Sequence, residues 1–363
     1  IKCEKNRKLI LMSNNQCEQF LNLRPDYIHD AFKNYPKLNI GCAGLDFVNG
    51  YNYIWDCISQ IQNPERFYFL IDLDTKIKKE NNLNSEGIIS RTWIDNTLYK
   101  NPQLLYVFYH SEWNELEIEN LLSLLNRVSS YIGTKTIPII LIFLQNEPKT
   151  LIDARVLNYL TESTSLSTKN CFVISIESPL ICLKRLEPLI INILTECCNR
   201  KISKYKQKRD QCLNNQAIKF NAFKFMIKSA IYYEIKRDFV GALKNYLTIL
   251  SDIFDASYSY PDPLELKYLT GYLISKISFL SSKQNLFNDA ITKFHRFERH
   301  FRRLIFLKEC PGEHFLWLGN HFLWFAKLFE DTNIDYDINK NPGYYFYFAA
   351  ILFHRALIFY NSV

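Results

Sequence analysis

Hydrophobic positions in the first half of the chain form short apolar runs that alternate with helix-like stretches. The last three runs are apolar throughout rather than at every second residue, which is typical of strands buried on both faces. The alternation predicts an α/β domain at 38–187, with an open, mostly parallel sheet flanked by helices. The runs lie at 38–43, 66–72, 104–110, 137–144 and 171–176, and the helix candidates at 46–62, 88–99, 115–132 and 150–163.

From about residue 216 onward the hydrophobic positions recur every three or four residues, which predicts helices alone. The helices follow one another as three pairs, whose first members begin near residues 216, 263 and 312. A helix pair repeated about every 50 residues is typical of helical arrays. The second half, 216–363, is therefore predicted to be an all-α solenoid of antiparallel helix pairs, similar to tetratricopeptide or HEAT repeats.

Several single residues mark predicted helix ends. Asp238 is expected to cap the second helix of the array, while Pro263 and Asn285 are expected to open the third and fourth. Pro188 suits the first turn of a long helix at 188–215 that connects the two domains. Residues 1–37 are polar and irregular, and they predict a peripheral N-terminal segment.

Charge is unevenly distributed along the 363 residues. The formal net charge is +7, made up of −2 over residues 1–198 and +9 over residues 199–363. The second half could therefore attract an acidic partner or an anionic membrane surface. No zinc module or RNA-binding signature accompanies that charge, so nucleic acid is not an expected partner.

Two further features favour a cytosolic protein. The ten cysteines form no CxxC motif and no regular spacing, which favours reduced thiols. The longest uncharged apolar run, at 344–353, is about half of the ~20 residues that a membrane-spanning helix needs.

Candidate catalytic chemistry is sparse. Glycines near the end of the first strand could belong to a phosphate-binding loop, but GCAGLD is not GxGxxG, and a tight turn is the favoured interpretation. A metal site at the end of the second strand is less favoured than a solvated strand end or a helix cap. A catalytic pair after the third strand is not favoured, because no recognisable nucleophile accompanies it. We therefore predict no catalytic residue, no cofactor and no metal. The residues concerned are Gly41, Gly44, Asp72, Asp74, His110 and Glu112.

Two surfaces of the predicted array are candidates for docking. Four arginines spaced three and four residues apart share one helix with His295, and they form either a solvated face or a docking surface for acidic protein or lipid. The last helix, which follows Asn341-Pro342-Gly343, is apolar almost all round and is a candidate interface helix. The candidate residues are Arg296, Arg299, Arg302 and Arg303 on the first surface, and Tyr344, Tyr345, Tyr347 and Phe348 on the second.

Ordered motifs along residues 40–360 resemble a known family. The densest piece is FNAFKFMIKSAIYYEIKRDFVGALKNY at 220–246, and NPGYYFYFAA at 341–350 closes the series. The other pieces are AGLDFV (43–48), GIISRTWI (87–94), NPQLLYVFYHSEW (101–113), IPIILIFLQNEP (137–148), LELKYLTGYLISKI (264–277) and DAITKFHRFERHF (289–301). The chain resembles the Foie gras domain of the eleventh-subunit family of the transport protein particle (TRAPP) complex.

This resemblance implies a non-enzymatic scaffold subunit of a cytosolic vesicle-tethering complex. Its expected partners are other TRAPP subunits and, through the core of the complex, a Rab-type small GTPase whose nucleotide exchange the core promotes. The expected location is peripheral at the Golgi and early secretory pathway, in contact with Golgi or vesicle membranes. Tyr347 and Phe348 replace residues that are usually polar in the family, so contacts made at these two positions need not carry over.

Two other functions remain open from the residues alone. The first is an α/β enzyme or nucleotide-binding protein whose helical solenoid is regulatory. The second is a peripheral adaptor that binds membranes directly through the arginine face.

Overall fold

The computed structural model shows two compact units, and each is described by itself. One unit comprises Pro36–Leu83 and Thr92–Arg200, and the other comprises Ile1–Tyr35, Asn84–Arg91 and Lys201–Val363. The structure describes residues 35–44, 54, 56–58, 67–70, 97–98, 102–110, 115–132, 137–145, 154–164, 166–214, 220–256, 263–302, 304–305, 309–330 and 340–361. Nearly all of the predicted peripheral segment 1–37 lies outside these residues, and the predicted domain boundaries stay predictions.

The first unit contains a five-stranded sheet in the order β2-β1-β3-β4-β5, in which every neighbouring pair is parallel. The predicted α/β sheet is thereby confirmed. The elements are β1 (Leu38–Ala43), β2 (Phe67–Leu70), β3 (Leu104–His110), α1 (Glu115–Ile132), β4 (Ile139–Gln145), α2 (Ala154–Ser163) and β5 (Cys171–Ser175).

The central strands β3 and β4 are buried on both faces, as their continuous apolar sequence predicts. On one face Leu105 and Phe143 pack with Leu121 and Leu125 of α1. Residues pointing to the other face, such as Phe108, are also fully buried. Because both faces exclude water, an alternating polar pattern would bury many polar side chains, and neither strand has such a pattern.

The second unit is a helical array whose neighbouring helices pack in pairs: α4 on α5, α6 on α7 and α8 on α9. Contacts of α6 with α5 and with α8 join successive pairs. The predicted α/β region followed by a helical solenoid is thereby confirmed. Residues 179–200 of α3 (Pro179–Leu213) belong to the first unit and residues 201–213 to the second. The other helices of the array are α4 (Asn221–Ile235), α5 (Phe239–Ala256), α6 (Pro263–Lys283), α7 (Phe287–Phe301), α8 (Pro311–Glu330) and α9 (Pro342–Asn361).

The connection between α4 and α5 explains their tight pairing. Arg237 adopts a left-handed conformation with φ 66°, which lets Asp238 N donate to Tyr233 O over 2.9 Å and ends α4. Asp238 then caps α5, because its Oδ1 accepts a hydrogen bond from Gly241 N over 2.9 Å. The cap predicted at Asp238 is therefore confirmed.

Two predicted helix boundaries are wrong. The long helix α3 begins at Pro179, and Pro188 lies inside it. Proline suits the first turn of any helix, and the sequence offers two prolines nine positions apart, of which the earlier one takes that place. Asn285 does not open α7 but follows the end of α6: its φ is 60°, and Leu286 N donates to Ser281 O over 2.8 Å.

Candidate interaction surfaces of the helical array

The last helix, α9, begins at a well-defined signal. Asn341 Oδ1 accepts a hydrogen bond from Gly343 N over 2.8 Å, and Pro342 takes the first helical position. The turn signal predicted at Asn341-Pro342-Gly343 is thus where the helix starts.

The four predicted interface residues of α9 lie on different sides of the helix. Tyr345 is fully buried, with its ring 4.8 Å from Phe325 and 5.8 Å from Phe329, so it anchors α9 within the array. Burial raises the pKa of Tyr345 far above its usual range. Phe348 and Tyr344 are half-buried, and only Tyr347 stands out into solvent, at 64% exposure. An interface role for this helix stays a prediction, and Tyr345 belongs to its inner face.

The C-terminal half of α9 exposes apolar side chains to which sequence reasoning assigned no role. Leu357 is 55% exposed and Tyr360 is 49% exposed. The sequence indicates this exposed apolar surface only through the scarcity of charge: apart from a histidine, Arg355 is the only charged residue between Pro342 and Asn361.

The arginine face on α7 is partly engaged within the chain. Arg302 pairs with the buried carboxylate of Glu298, and Arg296 lies over the ring of Phe254 at 4.9 Å. Arg299 Nε donates to His295 O over 3.3 Å. All three arginines remain exposed, so the structure brings them to one surface, while Arg303 lies outside the described residues.

His295 contributes little charge to that face. It is half-buried, with its ring 6.1 Å from Tyr345 and 6.3 Å from Tyr344. Burial is the main cause that lowers the pKa of His295; the charge of Glu298 opposes it, and the positive charges of Arg299 and Arg302 lower the pKa further. At neutral pH the imidazole is therefore largely neutral.

A buried charged cluster joins α6 to the start of α8. Lys267 is fully buried and donates to the carboxylate of Glu309, and its Nζ lies 2.8 Å from His314 Nδ1. The same Nδ1 atom of His314 lies 3.6 Å from Glu309 Oε2, so the three side chains form one buried cluster. The ring of Trp317 covers Nζ at 4.4 Å.

Burial and the contacts between the side chains act in opposite directions on the pKa values of this cluster. Burial lowers the pKa of Lys267 to about 8, although the carboxylate of Glu309 opposes the shift. Burial alone would raise the pKa of Glu309, but the contacts with His314 and Lys267 outweigh it and lower that pKa. The cluster is a tightly held internal ion pair with no exposed substrate-accessible face.

A second buried cluster joins α4, α5 and α6. Glu234 is fully buried, accepts from Tyr246 Oη over 2.5 Å and accepts from Lys276 Nζ over 2.9 Å. Burial, and next the charge of Glu234, raise the pKa of Tyr246 well above its usual range. One carboxylate thereby ties three successive helices together.

The sheet edge offers no convergent catalytic group among the described residues. Gly41 lies inside β1, paired with Leu70 and Leu105, rather than in a loop. Gly44 has φ 81°, and a Cβ there would lie 2.0 Å from Phe108 O, so the glycine allows the chain to turn against β3. His110 ends β3 on the surface. Asp72, Asp74 and Glu112 lie outside the described residues.

Metal-binding clusters and membrane-spanning helices are both absent from the described residues. Among the described residues, no group of three or more His, Cys, Asp or Glu side chains is placed to hold a metal ion. None of the helices in the described part of the chain combines the length and apolarity that a bilayer crossing requires.

Comparison with known proteins identifies sequences that are similar to this chain. No family model matches it, so the assignment to the Foie gras domain stays a prediction. Similar proteins include trafficking protein particle complex subunit 11 from Gallus gallus, Bos taurus and Homo sapiens, each 26% identical over 278 residues. The alignment covers 73% of this chain and 24% of each relative, so the chain spans about a quarter of their length. The chain is therefore similar to subunit 11 of the trafficking protein particle complex over 73% of its length, which is the resemblance that its ordered motifs predict.

Proposed function

We propose that this chain is a non-enzymatic scaffold within a TRAPP-type vesicle-tethering complex. The observation that carries the proposal is the similarity to subunit 11 from three vertebrates over 73% of the chain. The chain would act in the cytoplasm, peripherally at Golgi membranes, in transport from the endoplasmic reticulum to the Golgi. Its role would be to hold the complex core that promotes nucleotide exchange on a Rab-type GTPase.

The helical array supports a scaffold role physically. Helix pairs stacked on one another present extended surfaces for other proteins. The clusters around Glu234 and Lys267 connect successive helices through buried hydrogen-bonded charges, which fix the helices in one arrangement. Tyr347 and Leu357 leave apolar surface on the last helix, which favours contact with another protein surface.

Purification from cells of the source organism tests this proposal. The chain, tagged at its chromosomal locus, should elute with the other TRAPP subunits at stoichiometric levels, measured by quantitative mass spectrometry. Complex isolated from cells lacking the chain should exchange nucleotide on its Rab substrate more slowly or fail to assemble at membranes. Elution of the intact chain by itself, with no subunit in fixed ratio, would contradict the proposal.

A further inference from the structure

One face of α9 carries a regular stripe of exposed residues. The stripe residues follow one another at alternating intervals of four and three, which is the spacing of a coiled-coil seam. Tyr347 is 64% and Leu357 is 55% exposed, and the other members are exposed as well. The outer stripe comprises Gly343, Tyr347, Ala350, His354, Leu357 and Asn361.

The flanks of the outer stripe carry large apolar and aromatic side chains and no charged residue. A coiled-coil seam is normally bordered by charged residues such as Glu and Lys, which keep the edges of the contact in water. Here Arg355, the one formal charge on α9, lies off the flanks, with its guanidinium 5.9 Å from the ring of Phe315. The flanking positions are Tyr344, Ile351 and Ile358 on one side, and Phe346, Phe353 and Tyr360 on the other.

Other helices of the array present ordinary solvent-facing surfaces. The outer side of α5 exposes Lys244 and Asp252, and that of α7 exposes Asp289, Arg296 and Arg299. The outer stripe of α9 therefore differs in kind from its neighbours. An exposed helix face that carries large apolar side chains and no formal charge is typical of an interaction site.

We propose that the outer stripe binds the outer stripe of a second copy of this chain, with the two α9 helices antiparallel. A two-fold axis between Ala350 and His354 places Ala350 opposite His354 of the second copy. The same axis places Tyr347 opposite Leu357, and Gly343 opposite Asn361. Each small residue then faces a larger one, and the two largest apolar residues face each other, which is the self-complementarity that an isologous contact requires.

The residue pattern favours this arrangement over a parallel one. Parallel pairing in register would place His354 against His354 and Tyr347 against Tyr347, and it would leave gaps where Gly343 meets Gly343 and Ala350 meets Ala350. In the antiparallel contact no two charged residues meet, because Arg355 faces its own chain. The flanks then pair apolar residues of one copy with apolar residues of the other, for example Ile351 with Ile351 of the second copy.

The predicted dimer is weak. A helix of 20 residues is about 30 Å long, and one helix pair buries less surface than a standard stable interface. Association should therefore be concentration-dependent, with a dissociation constant in the micromolar range, roughly 1–100 μM. The inference rests on the geometry of α9 and not on the proposed complex, so a monomeric result leaves the co-purification test unaffected.

Sedimentation equilibrium of the full 363-residue chain tests the proposal. The wild type should pass from monomer to dimer as its concentration rises, and Tyr347→Glu should weaken dimerisation by about tenfold or more. Val240→Glu, at a 71% exposed position on α5, is the matched control and should leave dimerisation unchanged. A wild type that stays monomeric throughout, or a dimer indifferent to Tyr347→Glu, overturns the proposal.

Disulfide trapping tests the antiparallel orientation. In the double variant Tyr347→Cys/Leu357→Cys, the new thiol at position 347 of one copy faces the new thiol at position 357 of the other. Mild oxidation should therefore give a disulfide-linked dimer that a reducing agent converts back to monomer. Either single variant leaves equivalent thiols ten residues apart along the helices, about 15 Å, which a disulfide cannot bridge. The native cysteines are the same in all three variants. Trapping that is as efficient in a single variant as in the double one overturns the antiparallel contact.

Discussion

At the scale of single residues, buried charges distinguish this array from a simple apolar helix stack. Lys267 and Glu309 are both almost completely removed from water, and each serves as the other's counter-charge. Removing a charge from water is strongly unfavourable unless a partner and further hydrogen bonds compensate it. If Lys267 lost its ammonium, the carboxylate of Glu309 would therefore lose its paired charge and keep its contact with His314.

We expect Lys267→Met to lower the free energy of unfolding by about 3–5 kcal/mol, because it leaves the buried Glu309 carboxylate unpaired. Urea unfolding followed by circular dichroism measures this change. Lys327→Met is the matched control, since Lys327 is exposed on α8, and we expect a change within about 0.5 kcal/mol.

The double variant Lys267→Met/Glu309→Leu separates the ion pair from simple packing. Replacing both charges by apolar side chains of similar volume should recover most of the loss, since the pair itself adds little net stability. A single variant as stable as wild type would show that Glu309 reaches water or gains a proton without penalty.

Sequence reasoning could not identify these clusters. Lys267 lies within LELKYL, where a lysine on an apolar helix is ordinarily expected to extend its charge to the surface. Its counter-charge Glu309 lies 42 positions further along the chain, and no short-range sequence pattern indicates that the two residues are close in space. By contrast, the strands at 104–110 and 139–145 were predictable, because burial on both faces demands continuous apolar sequence.

At the scale of secondary-structure elements, helix boundaries were predictable where a side chain caps its own helix. Asp238 and Asn341 act within three residues of their own position, so their roles are visible in the sequence. Pro188 and Asn285 are ambiguous because proline is tolerated at more than one place and asparagine suits either helix end. The exposed stripe of α9 was predicted only as part of an apolar helix, since its inner and outer faces both lack formally charged residues.

The α8–α9 pair is held close by Gly319. A Cβ at this position would lie 2.7 Å from Phe353 Cε1 and 3.3 Å from Leu352 Cβ. Gly319→Ala removes about 1 kcal/mol of helix-propensity penalty but forces the aromatic ring aside. We expect a net loss of stability of about 1–2 kcal/mol, measured by urea unfolding.

The sign of this effect should reverse when the ring is absent. In a Phe353→Ala background, Gly319→Ala should be neutral or stabilise by up to about 1 kcal/mol. The higher helix propensity of alanine is then no longer offset by a clash with the Phe353 ring. A Gly319→Ala change that stabilises the wild-type chain would mean that α8 and α9 can separate slightly without loss.

At the scale of the whole molecule, the positive charge is concentrated in the second half, with +9 over residues 199–363 against −2 over residues 1–198. Contacts within the chain reduce the positive charge that is available to bind a partner. Arg302 is paired with Glu298, and burial keeps His295 largely neutral. Arg296 and Arg299 remain exposed on α7, and they are the part of the predicted docking face that an anionic surface could reach.

Contact with Golgi or vesicle membranes, if it is electrostatic, should follow these two arginines. The chain should float with vesicles containing about 30% phosphatidylserine at low salt. It should detach near 0.5 M salt, because the Debye length is then only about 5 Å. Arg296→Glu/Arg299→Glu should weaken flotation severalfold, since each basic residue near an anionic surface contributes about 1 kcal/mol. The matched control Lys184→Glu/Arg185→Glu, at exposed positions of α3, changes net charge equally and should have a smaller effect. Flotation insensitive to salt, or equal losses in both variants, would mean that the arginine face does not direct membrane contact and that α7 faces solvent or protein instead.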